Sequence, residues 1–384
     1  MRIAIDLLIA EKKPGGMLFS ARALLAGLAR IDQKNEYIII SGKPKEYQDL
    51  ATAPNIRVFP VMLRSWKSVM VKHQLLLPRV LRKIQPDVLH VAAFASPMGW
   101  KGPLVITVHD LAFLRSPQQL RLRSRIYWQY ILHESVRHAQ RIIVVSEQTR
   151  SELTSYWGIE PERICLIYNA LRPSLRQDNI SAEEIQEMRV RYGNRYLLHV
   201  GRIVPRKNVE KLVQAFDLLA HRFTDLHLVL TGGAGYGSTA AIQQIEASPY
   251  RGRIHQAGWV AEQDLGPLYA GASALVFPSS HEGFGIPTLE AMACGTPVVA
   301  SPEAASFEVA GEAVLRTDCS DPSLLADAIA RVLTDEVLRE RLIRLGRIRA
   351  QSFSCEACAD DTRRVYQEAL ATEMQSKQMY ALEH

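Results

Sequence analysis

Two glutamates, Glu282 and Glu290, flank a glycine turn in HEGFGIPTLEAMACGTPVVAS, residues 281–301. Between them lie Gly283, Phe284, Gly285, Ile286 and Pro287. The apolar run Ala274 to Phe277 stops at Pro278-Ser279-Ser280 and reads as a buried strand. Pro287 suits the first position of a helix, because it lacks an N–H that would go unsatisfied there. Gly295 and Pro297 mark the helix stop, and Val298-Val299-Ala300 reads as the next strand. Units of this kind bind ligands at the carboxyl ends of their strands. A helix start with unpaired N–H groups favours anions such as phosphate. Carboxylates repel phosphate but accept hydrogen bonds from sugar hydroxyls. The stretch therefore suits a ligand that is both phosphate and polyol, such as a nucleotide sugar.

Four more stretches carry chemistry. GRIVPRKN, 201–208, follows an expected strand. Gly201 lets backbone approach a ligand, and Arg202, Arg206 and Lys207 gather positive charge suited to phosphate oxygens. It is not a Walker loop, since the second glycine is missing and Asn208 follows the lysine. LTGGAGYGS, 230–238, is glycine-rich, but Ser238 stands where a dinucleotide fingerprint needs glycine, so Gly233 belongs to a loop of open purpose. TVHD, 107–110, puts His109 at the end of a buried strand, where its ring can bond a hydroxyl or phosphate. KPGGM, 13–17, places Gly15 and Gly16 in a turn after the first strand.

The elements that must position these residues alternate. Strands are expected at 2–6, 37–40, 56–59, 87–91, 104–108 and 141–145, with helices at 19–30, 68–84 (interrupted by Pro78), 127–140 and after the cap Ser146. A polar stretch over 172–194 reads as the linker. Strands near 196–200, 226–230, 254–257, 274–277 and 298–300 follow, with a helix over 208–221 and a last one near the C-terminus. This is an α/β pattern of two doubly wound, Rossmann-like domains, with a cleft between them as the natural ligand site.

With 384 residues, 47% hydrophobic and 22% charged, the chain fits two ordinary globular domains and not a disordered tract. No window approaches a transmembrane span, and the start lacks a leader pattern, which points to the cytosol. Five scattered cysteines fit a reducing compartment, and the lone Cys355-x-x-Cys358 pair makes no zinc site. The net charge of +6 is uneven. Residues 1–180 carry 26 Lys and Arg against 14 Asp and Glu, and residues 181–384 carry 20 against 26. A basic first half attracts an anionic partner. The stretches 64–83 and 113–130 mix Arg and Lys with Trp66, Tyr127, Trp128 and Tyr130, which suits an anionic membrane face. No nucleic-acid motif accompanies them.

Taken together, the E-x7-E block from Glu282 to Glu290, Gly201-Arg202 with Lys207, Gly15-Gly16 and His109-Asp110 resemble the retaining glycosyltransferases of family 4, over nearly the whole chain. The resemblance implies the GT-B fold. It gives an acceptor-binding domain over 1–178, to which a C-terminal helix at 359–380 returns, and a nucleotide-sugar-binding domain over 179–358. It also implies site roles. Arg202 and Lys207 neutralise the diphosphate leaving group. The amides of Phe284, Gly285 and Ile286 hold phosphate and sugar oxygens beside Gly283, Gly201 and Gly233. Glu282 contacts the donor sugar and Glu290 the ribose hydroxyls. His109 contacts the sugar, Gly16 the diphosphate or acceptor side, and Trp259 with Val260 border the base. The family retains anomeric configuration, with the leaving phosphate helping as base. No D-x-D occurs, so no metal and no cofactor are expected.

One departure is Ser301-Pro302-Glu303-Ala304, where relatives often carry Asp or Asn, which bears on the donor sugar. The implied reaction moves a hexose, with mannose from GDP-mannose favoured, to a glycan or lipid-linked acceptor in surface polysaccharide synthesis. Peripheral contact with the anionic inner membrane face fits it, and nucleic acid does not. Two rivals share these residues: a nucleotide-sugar epimerase of the same fold, which needs no acceptor, and a non-catalytic nucleotide-sugar or membrane-binding protein.

Overall fold

The computed structural model describes residues 1–12, 15–62, 69–93, 95–115, 122–175, 179–302 and 305–383. Lys13-Pro14, Trp66 and Glu303-Ala304, all singled out above, lie outside them. The chain forms two compact units, one from Met1–Leu114, Arg121–Ala170 and Ser354–His384, the other principally from Leu171–Phe353.

The first unit holds a seven-stranded sheet. Its strands are β1 (Arg2–Asp6), β2 (Glu36–Ser41), β3 (Ile56–Pro60), β4 (Val88–Val91), β5 (Leu104–Val108), β6 (Arg141–Val144) and β7 (Ile164–Leu166). They pair in parallel in the order β3-β2-β1-β4-β5-β6-β7. The second unit holds β8 (Arg195–His199), β9 (Leu226–Thr231), β10 (Ile254–Gly258), β11 (Ala274–Phe277), β12 (Val298–Ala300) and β13 (Val314–Arg316). These are also parallel, in the order β10-β9-β8-β11-β12-β13. The strands read as near-continuous apolar runs because helices cover both faces of such a sheet. Each sheet reverses its strand order once, at β1/β4 and at β8/β11. Loops leaving adjacent strands at such a point diverge and leave a crevice at the carboxyl edge.

Several expectations need correction. The stretch 172–194, read as the linker, contains a helix: Ala182–Tyr192 has a full capping box, in which Ser181 and Glu184 exchange hydrogen bonds. Its polarity belongs to a mostly exposed helix. Pro78 does not interrupt its helix, which runs through it from Val69 to Ile84. Buried Leu77, Leu81 and Ile84 on that helix supply packing that offsets the lost hydrogen bond. Three-residue β7 and β13 were missed; unlike the equally short Val298–Ala300, neither follows directly on a proline that marks its start.

The last helix runs from Cys355 to Glu383 and packs on the first unit's helix Gly16–Ile31. Ala359, Val365, Tyr366 and Ala369 join Ile3, Ile5, Leu25 and Tyr37 in the first unit's core. A polar link crosses that core: His90 lies between the Tyr366 hydroxyl at 2.7 Å and the Thr107 hydroxyl at 2.8 Å. Burial drives the His90 pKa down to about 3, so the ring is neutral and both hydroxyls can be satisfied.

The helices meet closely at Gly27. A Cβ there would collide with the Cys355 carbonyl and lie 2.8 Å from the Ala359 Cβ. Gly27→Ala should cost roughly 1–3 kcal/mol by overpacking, which outweighs the ~1 kcal/mol that alanine brings to a helix interior. A urea midpoint equal to that of the wild-type chain would show that the contact does not hold the last helix in place.

Candidate functional site

Within the second unit, the crevice between β8 and β11 collects the chemistry. The loop after β8 carries Gly201, Arg202, Arg206 and Lys207, and the loop after β11 carries His281, Glu282 and the glycine turn. Ile203 N–H donates to Gly233 O (3.1 Å) and Gly235 N–H to Ile203 O (2.8 Å), so the loop after β9 pairs with the loop after β8. This is the purpose of the glycine-rich 230–238 stretch. Gly232 has φ +79°, and a Cβ on it would sit 2.6 Å from Gly201 O, so only glycine permits the approach. Asn208, in the left-handed region, turns the chain into the helix Val209–Arg222 and donates its amide to Pro278 O (2.9 Å), tying the β8 loop to the end of β11.

Glu282 is buried between two cations. Lys207 Nζ lies 2.6 Å from its Oε1, and Arg206 Nη1 lies 2.5 Å from the same oxygen. Arg206 also donates to the His281 carbonyl at 2.8 Å. Lys207 is itself buried, with its ammonium 4.3 Å from the centre of the Phe277 ring. Burial pushes the Glu282 pKa up, but Arg206 and Lys207 more than reverse this and hold it at about 2. Glu282 is therefore an anion throughout the neutral range and does not serve as a proton donor. The guanidinium beside Lys207 in this cluster is that of Arg206, whereas Arg202 lies exposed on the same loop.

Gly285, at φ +88°, is the N-cap of the helix Ile286–Ala293, with Pro287 in its first turn. The left-handed turn is open to glycine and strained for other residues. Phe284 is buried and meets Phe353 edge to face at 5.9 Å, which fixes the turn from below. Glu290, one turn into this helix, is also buried. Its Oε1 accepts from Arg172 Nε at 3.0 Å and from Arg172 Nη2, and its Oε2 accepts from the Tyr269 hydroxyl at 2.8 Å. Sequence reasoning missed both partners. Arg172 sat in the stretch read as linker, and Tyr269 lies in the helix Glu262–Gly271 with no pattern to single it out. Trp259 and Val260 follow β10; Trp259 is 63% exposed, a broad apolar ring at the surface beside the Gly258 that bonds Gly232.

Within the first unit, His109 follows β5 and its Nε2 lies 3.0 Å from Ala92 O. A carbonyl only accepts, so Nε2 carries the proton and Nδ1 is left as an acceptor. Burial lowers its pKa, offset in part by the Ala92 carbonyl and Asp110, which keeps the ring neutral near pH 7. His109 lines a small cavity with Ser20, Thr107 and Asn169. Gly16 is exposed at the start of the helix that carries Ser20.

Comparison with known proteins agrees with this layout. The family described as Glycosyltransferase Family 4 matches residues 14–175, and that described as Glycosyl transferases group 1 matches residues 181–349. The chain is 33% identical to the O-antigen chain mannosyltransferase B of Escherichia coli over 68% of this chain and 69% of that one. It is 26% identical to the serotype-specific mannosyltransferase WbdA of Escherichia coli over 83% of this chain, but spans only 41% of that longer protein. Among solved structures, Anabaena HepE in complex with UDP and glucose superposes with a TM-score of 0.74 at 20% identity, covering 96% of this chain and 99% of that one. The likeness gives the fold as GT-B. Among the described residues, no helix is long and apolar enough to cross a membrane.

The site also dictates a pH response. His199, at the end of β8, is fully buried with Nδ1 3.3 Å from Val276 O. Burial first, and the Lys207 cation second, push its pKa down to about 4. An unfolded histidine titrates near 6.5. Between those values the unfolded chain takes up a proton that the folded chain refuses, so stability is full above about pH 6.5 and is lost as pH falls toward 4. The contribution is about 3 kcal/mol. His199→Gln should flatten the difference in urea stability between pH 7.5 and pH 4.5 by that order. An equal pH slope in both proteins would refute the assignment.

Proposed function

The chain belongs to the group 1 glycosyl transferases of family 4, and from that premise we propose that it moves a hexose, with mannose from a GDP-linked donor favoured, onto a glycan or lipid-linked acceptor in surface polysaccharide synthesis. Membership makes it a nucleotide-sugar glycosyltransferase. The O-antigen mannosyltransferases among its relatives support the choice of sugar and pathway. The observation that carries the reading is the Lys207–Glu282–Arg206 cluster at the mouth of the β8/β11 crevice.

The cluster has two cations for one anion before any substrate arrives. A diphosphate is attracted to that surplus, and its charge grows as the glycosidic bond breaks. Lys207, Arg206 and the surface guanidinium of Arg202 oppose that growth, so they stabilise the transition state more than the ground state. The N–H groups of the Gly283–Ile286 turn add fixed dipoles on the same side. Glu282, held ionised, accepts hydrogen bonds from the donor sugar and opposes the positive charge that develops at the anomeric carbon. A glycosidase would need one of its paired carboxyls protonated, and neither the about-2 pKa of Glu282 nor the Arg172 grip on Glu290 favours that. Retention of configuration follows if the leaving phosphate takes the acceptor proton on the same face. Protein cations carry the charge, so the mechanism calls for no metal ion. Glu290 takes ribose hydroxyls, Trp259 and Val260 flank the base, and Gly201 and Gly233 let the phosphates approach. In the first unit, His109 offers neutral Nδ1 to a sugar hydroxyl and Gly16 borders the acceptor.

Peripheral membrane contact has support in the first unit. The helix Val69–Ile84 exposes Val71 and Leu75 and continues into exposed Arg79, Arg82 and Lys83. Apolar tips with adjacent cations suit an anionic lipid surface.

Thermal melts against GDP-, UDP- and ADP-sugars test the donor. A selective donor raises the melting temperature by mass action. Lys207→Ala should remove that shift and lower transfer by about 10²–10³-fold, while Arg206 keeps Glu282 paired and the fold intact. Undiminished transfer in that variant would sink the role given to Lys207.

A further inference from the structure

Glu290 is held in a way that the donor reading does not require and that bears on how it can grip a ligand. A carboxylate offers roughly four acceptor positions, two on each oxygen. Among the described residues, Arg172 fills both on Oε1, through Nε and Nη2, and Tyr269 fills one on Oε2. One position remains, on Oε2. All three side chains are buried: Arg172 to 7% exposure, Glu290 to 2% and Tyr269 to 0%.

Each holder is anchored independently. Leu171, next to Arg172, donates its N–H to Phe353 O at 2.9 Å, so the backbone at Arg172 is pinned where the chain enters the unit to where it leaves. The Arg172 guanidinium also lies 3.8 Å from the Glu262 carboxylate. Tyr269 accepts the Thr296 hydroxyl on its backbone carbonyl at 2.6 Å, which ties its helix to the end of Ile286–Ala293. Burial pulls the Arg172 pKa down and the Glu290 carboxylate more than restores it, so the guanidinium stays charged.

We propose that Arg172 and Tyr269 are positioning residues for the donor: they fix Glu290 so that a single acceptor direction, on Oε2, meets a ribose hydroxyl of the nucleotide. This rests on the reading that Glu290 contacts the ribose. A side chain free to turn would bind a hydroxyl only after losing its rotamer freedom. Glu290 has already lost it on folding, so the hydroxyl contact is made at little further entropic cost. The same fixing makes the contact selective, because a nucleotide without that hydroxyl leaves the remaining acceptor position unmatched in a dry site.

The test compares GDP and UDP with their 2′-deoxy and 3′-deoxy analogues by isothermal titration. The proteins are the wild-type chain, Glu290→Gln, Arg172→Lys and Tyr269→Phe. Lysine keeps the buried charge paired but loses the two-donor grip, and phenylalanine removes one oxygen only, so Tyr269→Phe decides if Arg172→Lys does not fold. The wild-type chain should prefer the ribonucleotide by about tenfold or more. In Arg172→Lys and Tyr269→Phe that preference should fall to about threefold or less, with KM for the donor raised and kcat nearly unchanged. A general loosening of the fold would instead weaken ribo- and deoxynucleotides alike and leave their ratio intact. A preference lost in Glu290→Gln but intact in both other variants overturns the positioning role and leaves the donor reading standing. No nucleoside diphosphate binding by the wild-type chain, or a preference that survives in Glu290→Gln, overturns the donor reading and this inference with it.

Discussion

Two carboxylates lie buried at the edge of one parallel sheet, and the second unit is organised around keeping them paired. Removing a charge from water costs several kcal/mol, and the cost is met only when an opposite charge and well-placed hydrogen bonds come with it. Glu282 receives Lys207 and Arg206, and Glu290 receives Arg172 and Tyr269. None of these partners is a sequence neighbour. The topology delivers the first pair: β8 and β11 are adjacent although two other strands separate them along the chain, so the loops that follow them open onto one crevice. A change in that strand order would leave Glu282 as an uncompensated buried charge.

Backbone packing then sets the positions to within a side chain's reach. The loops after β8 and β9 are joined by a short parallel bridge at Ile203 and Ala234, which the absence of a Cβ at Gly232 permits. That bridge holds the turn carrying Lys207 against the sheet. Gly285 begins its helix from a left-handed conformation, and Phe284 plugs the turn into the interior against Phe353. The backbone of the basic loop and the helix start are thus fixed by backbone and apolar packing.

The architecture was legible in the sequence because parallel strands buried on both faces leave near-continuous apolar runs bounded by turn residues. Arg2–Asp6, Leu104–Val108, Ala274–Phe277 and Val298–Ala300 fall where those runs fall. β7 and β13 were not, since neither short run follows directly on a proline as Val298–Ala300 does, and the helix Ala182–Tyr192 was hidden because its exposed face is mostly polar. In the site, the glycine turn and the basic loop were visible as residue types at strand ends. The pairing was not. Arg206 reaches Glu282 because it sits with Lys207 in the short 3₁₀ turn Pro205–Lys207, whereas Arg202 lies before that turn and is exposed. Arg172 and Tyr269 gave no signal, because an arginine in a polar stretch and a tyrosine in a helix are ordinary until the fold buries them against a carboxylate.

The two glutamates, alike in sequence, are held with opposite consequences. Glu282 shares one oxygen between two cations at the mouth of the crevice, for which a diphosphate is proposed to compete. On the proposed reading, phosphate oxygens draw Lys207 and Arg206 part of the way from Glu282, whose lone pairs then turn to the sugar's hydroxyls. Its ion pairs are a reserve that substrate exchanges for its own. Glu290 makes no such exchange, since its arginine comes from a backbone pinned at both ends and its tyrosine from a neighbouring helix. On that reading the first carboxylate responds to charge as it moves during the reaction, and the second holds still while it does. An E-x7-E spacing on its own cannot express that division. It arises from which cation each carboxylate meets, and from how firmly the fold holds that cation in turn.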